Sequence, residues 1–232
     1  MQGEIERALS EICDEPVRIT GAGRTDAGVH ATGQVIDFRT ASALDGSTME
    51  RGVNALLTED IAISGLEPAG ETFHSRFSAT GRTYEYRIRN AATRAPLERL
   101  YELWLPEPLD VGAMRDASGR LVGRYDFAAF AAGVSGERAV RRAVWEHRDD
   151  VLRFEIEANA FLRGMVRGIV GTLLWVGRGK ISPDRFEEIL RSRDRAKAGP
   201  SAAARGLCLV RVDYGDGERR RDDTGELEDE DE

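Results

Sequence analysis

The stretch Gly21-Ala22-Gly23-Arg24-Thr25-Asp26-Ala27-Gly28-Val29-His30 decides how the rest of the chain is read. Three glycines follow a short β-rich segment, Val17 to Thr20, which raises the possibility of a nucleotide-binding turn. The dinucleotide fingerprint needs a glycine where Asp26 stands, and a helix immediately afterwards. Here the next patterned segment, Gln34-Val35-Ile36-Asp37-Phe38, alternates like a half-buried strand. A phosphate-cradling loop would need Gly-Lys-Ser or Gly-Lys-Thr, which is absent, and a carboxylate at the turn would repel an anion. Taken alone, an aspartate beside glycine most often closes an Asx-turn or caps a helix.

Working outward, Ile5, Ala8, Leu9 and Ile12 fall at helical spacing within Gln2 to Ile12. Ser47 is expected to cap a helix through Met49, Val53 and Leu56, and Ile61 to Leu66 reads as a strand. Tyr84-Glu85-Tyr86-Arg87-Ile88-Arg89 alternates strictly, with Tyr84, Tyr86 and Ile88 on one face and the charges on the other. Beyond it, Tyr101 to Leu105 reads as a strand and Asp110 opens a helix carrying Met114, Ala117 and Leu121. Ala143 to His147 and Val151 to Ile156 form a hairpin around Arg148-Asp149-Asp150. Phe161 to Val176 reads as an apolar helix, Ser182-Pro183 starts another, and Leu207 to Val212 closes the body as a strand. Helices and strands mix without a regular βαβ period, so the class is α+β with mainly antiparallel sheet.

The 232 residues are 41% apolar, enough for a real core. Cys13 and Cys208 stand far apart, no Cys/His cluster has metal spacing, and both read as reduced thiols. No charged-then-apolar leader opens the chain. Arg163 and Arg167 interrupt the longest apolar stretch, which is too short to span a bilayer, so the expectation is a cytoplasmic protein with no membrane partner. The net charge of −8 is concentrated at one end: residues 215–232 carry −7 and read as a disordered acidic tail. The remainder is close to neutral, so local arginine clusters can still bind RNA. Arg87 with Arg89, and Arg138 with Arg141 and Arg142, are candidate phosphate contacts.

The run from Gly23 to Val35, Gly-Arg-Thr-Asp-Ala-Gly-Val-His-Ala-Thr-Gly-Gln-Val, resembles the signature of the TruA family of tRNA pseudouridine synthases. The resemblance continues in register. Phe77-Ser78-Ala79-Thr80-Gly81-Arg82-Thr83-Tyr84-Glu85-Tyr86-Arg87-Ile88 is similar to the second family motif, whose first tyrosine lies over the target base. Tyr125-Asp126-Phe127-Ala128-Ala129-Phe130 matches a further landmark. Ala158-Asn159-Ala160-Phe161-Leu162-Arg163-Gly164-Met165-Val166-Arg167 is similar to the third motif, whose last arginine pairs with the catalytic aspartate. Gly206-Leu207-Cys208-Leu209 matches the closing strand. The family's opening strand, with Tyr-Asp-Gly and then Gly-Trp-Gln or Gly-Phe-Gln, is not matched, and Met1 to Ile5 lines up with the helix after it. The resemblance therefore implies a chain short at its N-terminus, with an unpaired sheet edge.

That resemblance implies two ferredoxin-like, RRM-like halves with mainly antiparallel sheets around a central cleft, the pseudouridine synthase fold. Residues 1–97 would form the half bearing the Asp26 loop, residues 98–214 the second half, and residues 215–232 the acidic tail. It implies a homodimer that isomerises uridine in the tRNA anticodon stem-loop, at tRNA positions 38, 39 and 40, without a cofactor or metal. Asp26, Tyr84 and Arg167 would be the catalytic residues, and Arg24, Thr25, His30, Gln34, Arg82 and Tyr84 would bind substrate.

The chemistry suits these residues. The reaction breaks the N-glycosidic bond, turns the uracil and rejoins it through carbon, so a carboxylate that can accept and release a carbon centre is a fitting nucleophile. Attack at the ribose C1′ and addition to the uracil ring both satisfy this. A carboxylate taken out of water favours its neutral form, so it needs a neighbouring cation, a role the resemblance gives to Arg167. The target base must leave the stack, and the resemblance gives Arg24 a part in holding or replacing it. Tyr84 can stack on the extruded base, whereas Tyr86 reads as a core tyrosine and His30 as loop structure or an RNA contact. Gly164, Gly168 and Gly171 would let another backbone approach the apolar helix closely. The competing readings are a catalytically impaired tRNA-binding protein or chaperone of the same fold, and a protein in which the Asp26 loop is only a turn.

Overall fold

An amphipathic helix opens the computed structural model, which describes residues 1–215; the acidic segment from residue 216 onward lies outside the described residues. Contacts divide the chain into two compact units. One holds residues 1–22 and 35–78, the other residues 23–34 and 79–214.

In the smaller unit, α1 (Gln2–Cys13) turns Ile5, Ala8 and Leu9 inward, as the helical spacing predicts; Ile12 is only half-buried against the same core, and Cys13 is buried in it. The strand read at Val17 to Thr20 is displaced: β1 is Ile19–Gly21. The chain then passes through β2 (His30–Ala31), which belongs to the larger unit, and returns as β3 (Ile36–Phe38). β1 and β3 pair antiparallel as a two-stranded sheet, with Ile19 opposite Phe38 and Gly21 opposite Ile36. α2 (Gly46–Leu56) adds Met49 and Val53 to the core of this unit.

Two expectations for this unit fail for local reasons. The α2 cap is Asp45, not Ser47: the Asp45 carboxylate accepts from the Thr48 amide at 3.0 Å, and the Ser47 hydroxyl donates to the same carboxylate at 2.6 Å. Ile61 to Leu66 is not a strand. Ile61, Ile63 and Leu66 pack on the core, but side chains of α2 satisfy their backbone. Asn54 donates to the Ile63 carbonyl and accepts from its amide, both at 2.8 Å, and Glu50 accepts from the Leu66 amide.

The larger unit is built on a long sheet. Its remaining elements are β4 (Ala79–Asn90), β5 (Leu103–Leu105), α3 (Val111–Gly119), β6 (Gly123–Asp126), β7 (Glu137–Arg148), β8 (Val151–Ala158), α4 (Met165–Gly177), α5 (Pro183–Ser192) and β9 (Leu207–Tyr214). The strand order is β2-β9-β4-β8-β7-β6, with β5 beside the end of β4. All pairs are antiparallel except β2 with β9 and β4 with β5. The fold is therefore mixed α+β with two sheets. One face of the large sheet carries Tyr86, Ile88, Leu152, Phe154 and Ile156, all fully buried in one core with Ile169, Val170 and Leu173 of α4. The other face carries charges.

α4 begins four residues later than the apolar run suggests. Gly164 takes a left-handed conformation (φ +69°) that turns the chain before the helix starts. The displaced Phe161 packs its ring edge-on against Tyr84 instead of extending the helix, with centroids 5.1 Å apart. The Ser182 cap behaves as expected, its hydroxyl accepting from the Arg185 amide at 3.1 Å. Among the described residues no helix is long and apolar enough to cross a membrane.

Candidate active site

The glycine-rich loop, residues 23–34, is fixed at both ends. The Gln34 side-chain amide donates to the Gly23 carbonyl at 2.6 Å. His30 and Ala31 pair in parallel with Cys208 and Leu209, and the amides of Thr32 and Gly33 both donate to the Leu209 carbonyl. Between these anchors the chain makes one tight turn, in which the Val29 amide donates to the Asp26 carbonyl at 3.0 Å and Gly28 has φ +79°. This turn leaves Asp26 exposed at the tip.

Arg167, in the first turn of α4, donates from Nη1 to Asp26 Oδ2 at 2.7 Å, joining residues 141 positions apart. The side chains of Asp26 and Arg167 are 39% and 25% exposed, so the pair is reachable from solvent without being freely hydrated. The guanidinium is also held from behind: Nε donates to the Ala202 carbonyl at 2.9 Å, and the Ala202 amide donates to the Arg167 carbonyl at 2.9 Å. Tyr84 lies close by, since a side chain at Gly23 would project to within 3.6 Å of its hydroxyl. Burial pushes the Tyr84 phenol up to about 12; Arg82 opposes the shift, and the Asp26 charge reinforces it. At neutral pH Tyr84 is therefore a protonated phenol, able to donate a hydrogen bond or offer a stacking face but not to act as a base.

The other sequence-derived candidates divide. Arg24 is exposed and has no ion-pair partner among the described residues, and Thr25 is half-buried beside it. His30 Nε2 lies 2.8 Å from the Leu100 carbonyl, and its ring is 4.8 Å from that of Tyr101. Gln34 braces the loop from within. Arg82 is buried, and its guanidinium donates to the Asn159 carbonyl at 3.0 Å, which places it inside the sheet and away from solvent.

Four arginines of the two basic clusters have acidic partners, while Arg138 donates from Nη1 to the Glu137 carbonyl at 2.8 Å. Arg87 pairs with Glu85 at 2.5 Å, Arg89 with Glu102 at 2.8 Å, Arg142 with Glu155 at 2.8 Å and Arg141 with Glu157 at 3.3 Å. Their charge is answered within the protein, so a phosphate would have to compete for it. Two groups at the site had no signal in the reading of the sequence. One is the segment around Ala202, which touches Arg167 through backbone atoms alone. The other is Phe161, which was assigned to the helix. Among the described residues no three His, Cys, Asp or Glu side chains gather as a metal-holding group. What the arrangement offers is a carboxylate hydrogen-bonded by a guanidinium, beside a neutral phenol and at the tip of an open turn.

The chain is similar to known proteins along most of its length. A family profile described as tRNA pseudouridine synthase matches residues 1–78 and 117–215. The chain is 46% identical, over 222 residues, to tRNA pseudouridine synthase A of Chloroflexus aurantiacus, a match covering 92% of this chain and 80% of that protein. It is 39% identical over 218 residues to tRNA pseudouridine synthase A of Francisella tularensis subsp. novicida, covering 92% of this chain and 84% of that protein.

Proposed function

This chain belongs to the TruA-type tRNA pseudouridine synthases, a family of isomerases, and from that premise we propose that Asp26 is its nucleophile and the tRNA anticodon stem-loop its target. The uridines at tRNA positions 38, 39 and 40 are the proposed sites, and the active species is a homodimer. Residues 1–97 and 98–214 are taken as the two similar halves of the family's fold. The observation that supports the catalytic assignment is the 2.7 Å pairing of Asp26 with Arg167 beside the Tyr84 phenol.

In this reading, an extruded uridine lies over Tyr84, with Arg24 at the rim holding its place in the stack. The Asp26 carboxylate acts as the nucleophile, at C1′ or at the uracil ring. The bond between C1′ and N1 breaks, the base turns, C5 joins C1′, and the bond to Asp26 breaks to return the free carboxylate. The C5 proton is lost to water and N1 takes up another, so the product is an isomer and no cofactor is consumed. Arg167 keeps the carboxylate aimed while Phe161 holds the Tyr84 ring edge-on.

The test is tritium release from anticodon stem-loop tRNA labelled at uracil C5. Asp26→Ala is expected to reduce release by at least about a thousandfold while still binding tRNA. Release that survives in the Ala variant removes Asp26 from the mechanism. Release unchanged when all three proposed uridines are replaced moves the target elsewhere in the tRNA.

A further inference from the structure

The segment 198–203 does nothing in the mechanism above, yet it is the most heavily braced irregular stretch beside the site. It contacts Arg167 twice at Ala202 through the backbone, on Nε and on the main-chain carbonyl. Three further side chains hold it. The Tyr86 hydroxyl, from the fully buried face of β4, donates to the Ala203 carbonyl at 2.7 Å. Thr172, fully buried on α4, accepts from the Gly199 amide at 3.0 Å and donates to the Gly168 carbonyl at 2.8 Å. Arg195 donates to the Gly199 carbonyl at 2.9 Å. Where the segment crosses α4, a β-carbon at Gly171 would collide with the Pro200 carbonyl, so the two backbones lie in direct contact.

An arginine side chain is long, and fixing it costs much rotamer freedom. A part-exposed ion pair contributes little by itself, so the bond to Asp26 is too weak to hold the guanidinium in one place. The bond from Nε to Ala202 supplies the second point that fixes the guanidinium plane, and Ala202 has no side chain to anchor itself. Its position depends on its neighbours, held by Tyr86 on one side and Thr172 on the other.

We propose that Tyr86 and Thr172 are positioning residues for the isomerisation, acting through the 198–203 segment to hold the Arg167 guanidinium on Asp26. The inference rests on the reading of Asp26 and Arg167 given above. It differs from a packing role in one respect: loosening the segment should matter only while Arg167 is there to be held.

The experiment is a double-mutant cycle on tritium release, with kcat and KM for tRNA measured separately under enzyme-excess and steady-state conditions. Tyr86→Phe and Thr172→Val are each expected to lower kcat about tenfold, the size of one lost hydrogen bond, with KM unchanged within about twofold. Thr172→Ser, which keeps the hydroxyl, is expected to restore most of the rate. In an Arg167→Ala background both effects should vanish. Tyr86→Phe or Thr172→Val variants that fold, by circular dichroism, and keep the wild-type kcat overturn the proposal, as do effects that persist undiminished without Arg167. A change confined to KM overturns it as well. Should one variant fail to fold, the other carries the test alone. Wild-type kcat in Arg167→Ala itself would remove Arg167 from the mechanism, and this proposal with it. Loss of rate there, with no loss in the positioning variants, overturns only the inference drawn here.

Discussion

The two faces of β4 are made from alternating residues of a single strand, and they have opposite fates. On one face Tyr84, Tyr86 and Ile88 enter the core, where Tyr84 meets the Asp26 loop. On the other, Glu85 is almost wholly buried beneath Arg87 and Arg153, in a lattice continued by Arg142 with Glu155 and by Arg211 with Glu157 and Asp213. The apolar face holds the polar chemistry of the site, while the charged face is occupied with itself. An arginine is available for a task when its surroundings leave its charge one destination, as α4 does for Arg167. A row of arginines facing a row of carboxylates has little charge to spare.

Four measurements sharpen or break this contrast. The largest effect is expected on the core side. Phe154→Ala removes a fully buried ring packed 4.9 Å from that of Trp145 and should cost about 3–5 kcal/mol in urea unfolding. Alkali should act on the same face. Burial raises the Tyr84 phenol to about 12, and raises Tyr86 as well. The unfolded chain loses these protons near pH 10 and the folded chain does not, so stability is fully present below pH 10 and lost as pH rises toward 12. For Tyr84 alone the loss is on the order of 2 kcal/mol by pH 12, and Tyr84→Phe should flatten the profile of unfolding midpoint against pH. On the charged face, Glu85→Gln leaves Arg87 and Arg153 facing a neutral amide. Because both arginines are about half exposed, the expected cost is only about 1–2 kcal/mol. The smallest effect is on tRNA. Arg141→Gln with Arg142→Gln should change affinity less than about threefold and leave the salt slope within about one unit. A steep loss would mean that these arginines leave their carboxylates for phosphate, and the contrast between the faces would fail.

These same residues explain what could be read in advance. The period-2 alternation of Tyr84 to Arg89 sorted the faces correctly, because alternation is a property of the strand itself. The pairing of Arg167 with Asp26, 141 residues apart, was visible only through a resemblance of motifs and not through local pattern. The 198–203 segment stayed hidden because it works through carbonyls and amides, which every sequence possesses. Ile61 to Leu66 had the composition of a strand, but Asn54 and Glu50 had already taken its backbone bonds. Phe161 joined an unbroken apolar run that conceals the reversal at Gly164. The basic clusters count as charge in the sequence, while the acids that answer them become partners only once the strands form: Glu85 beside Arg87 on β4, and Glu155 and Glu157 across the β7–β8 hairpin.

The β1–β3 hairpin has a kinetic consequence. It brings Gly21 opposite Ile36, so that the chain carrying Asp26 leaves and re-enters through one narrow gate, closed further by the Ala22 amide on the Val35 carbonyl at 2.9 Å. The entropy lost in confining that loop is met by the hairpin's ladder together with the loop's own anchors, the Gln34 amide on Gly23 and the pairing of His30 and Ala31 with β9. A hairpin of two three-residue strands is the sort of structure that opens and closes well below the temperature at which a large core melts. Heat should therefore open this ladder first and leave the Asp26 loop held by Gln34 and β9 alone. With Asp26 as the proposed nucleophile, activity should fall while most of the sheet, and nearly all of the circular dichroism, remains.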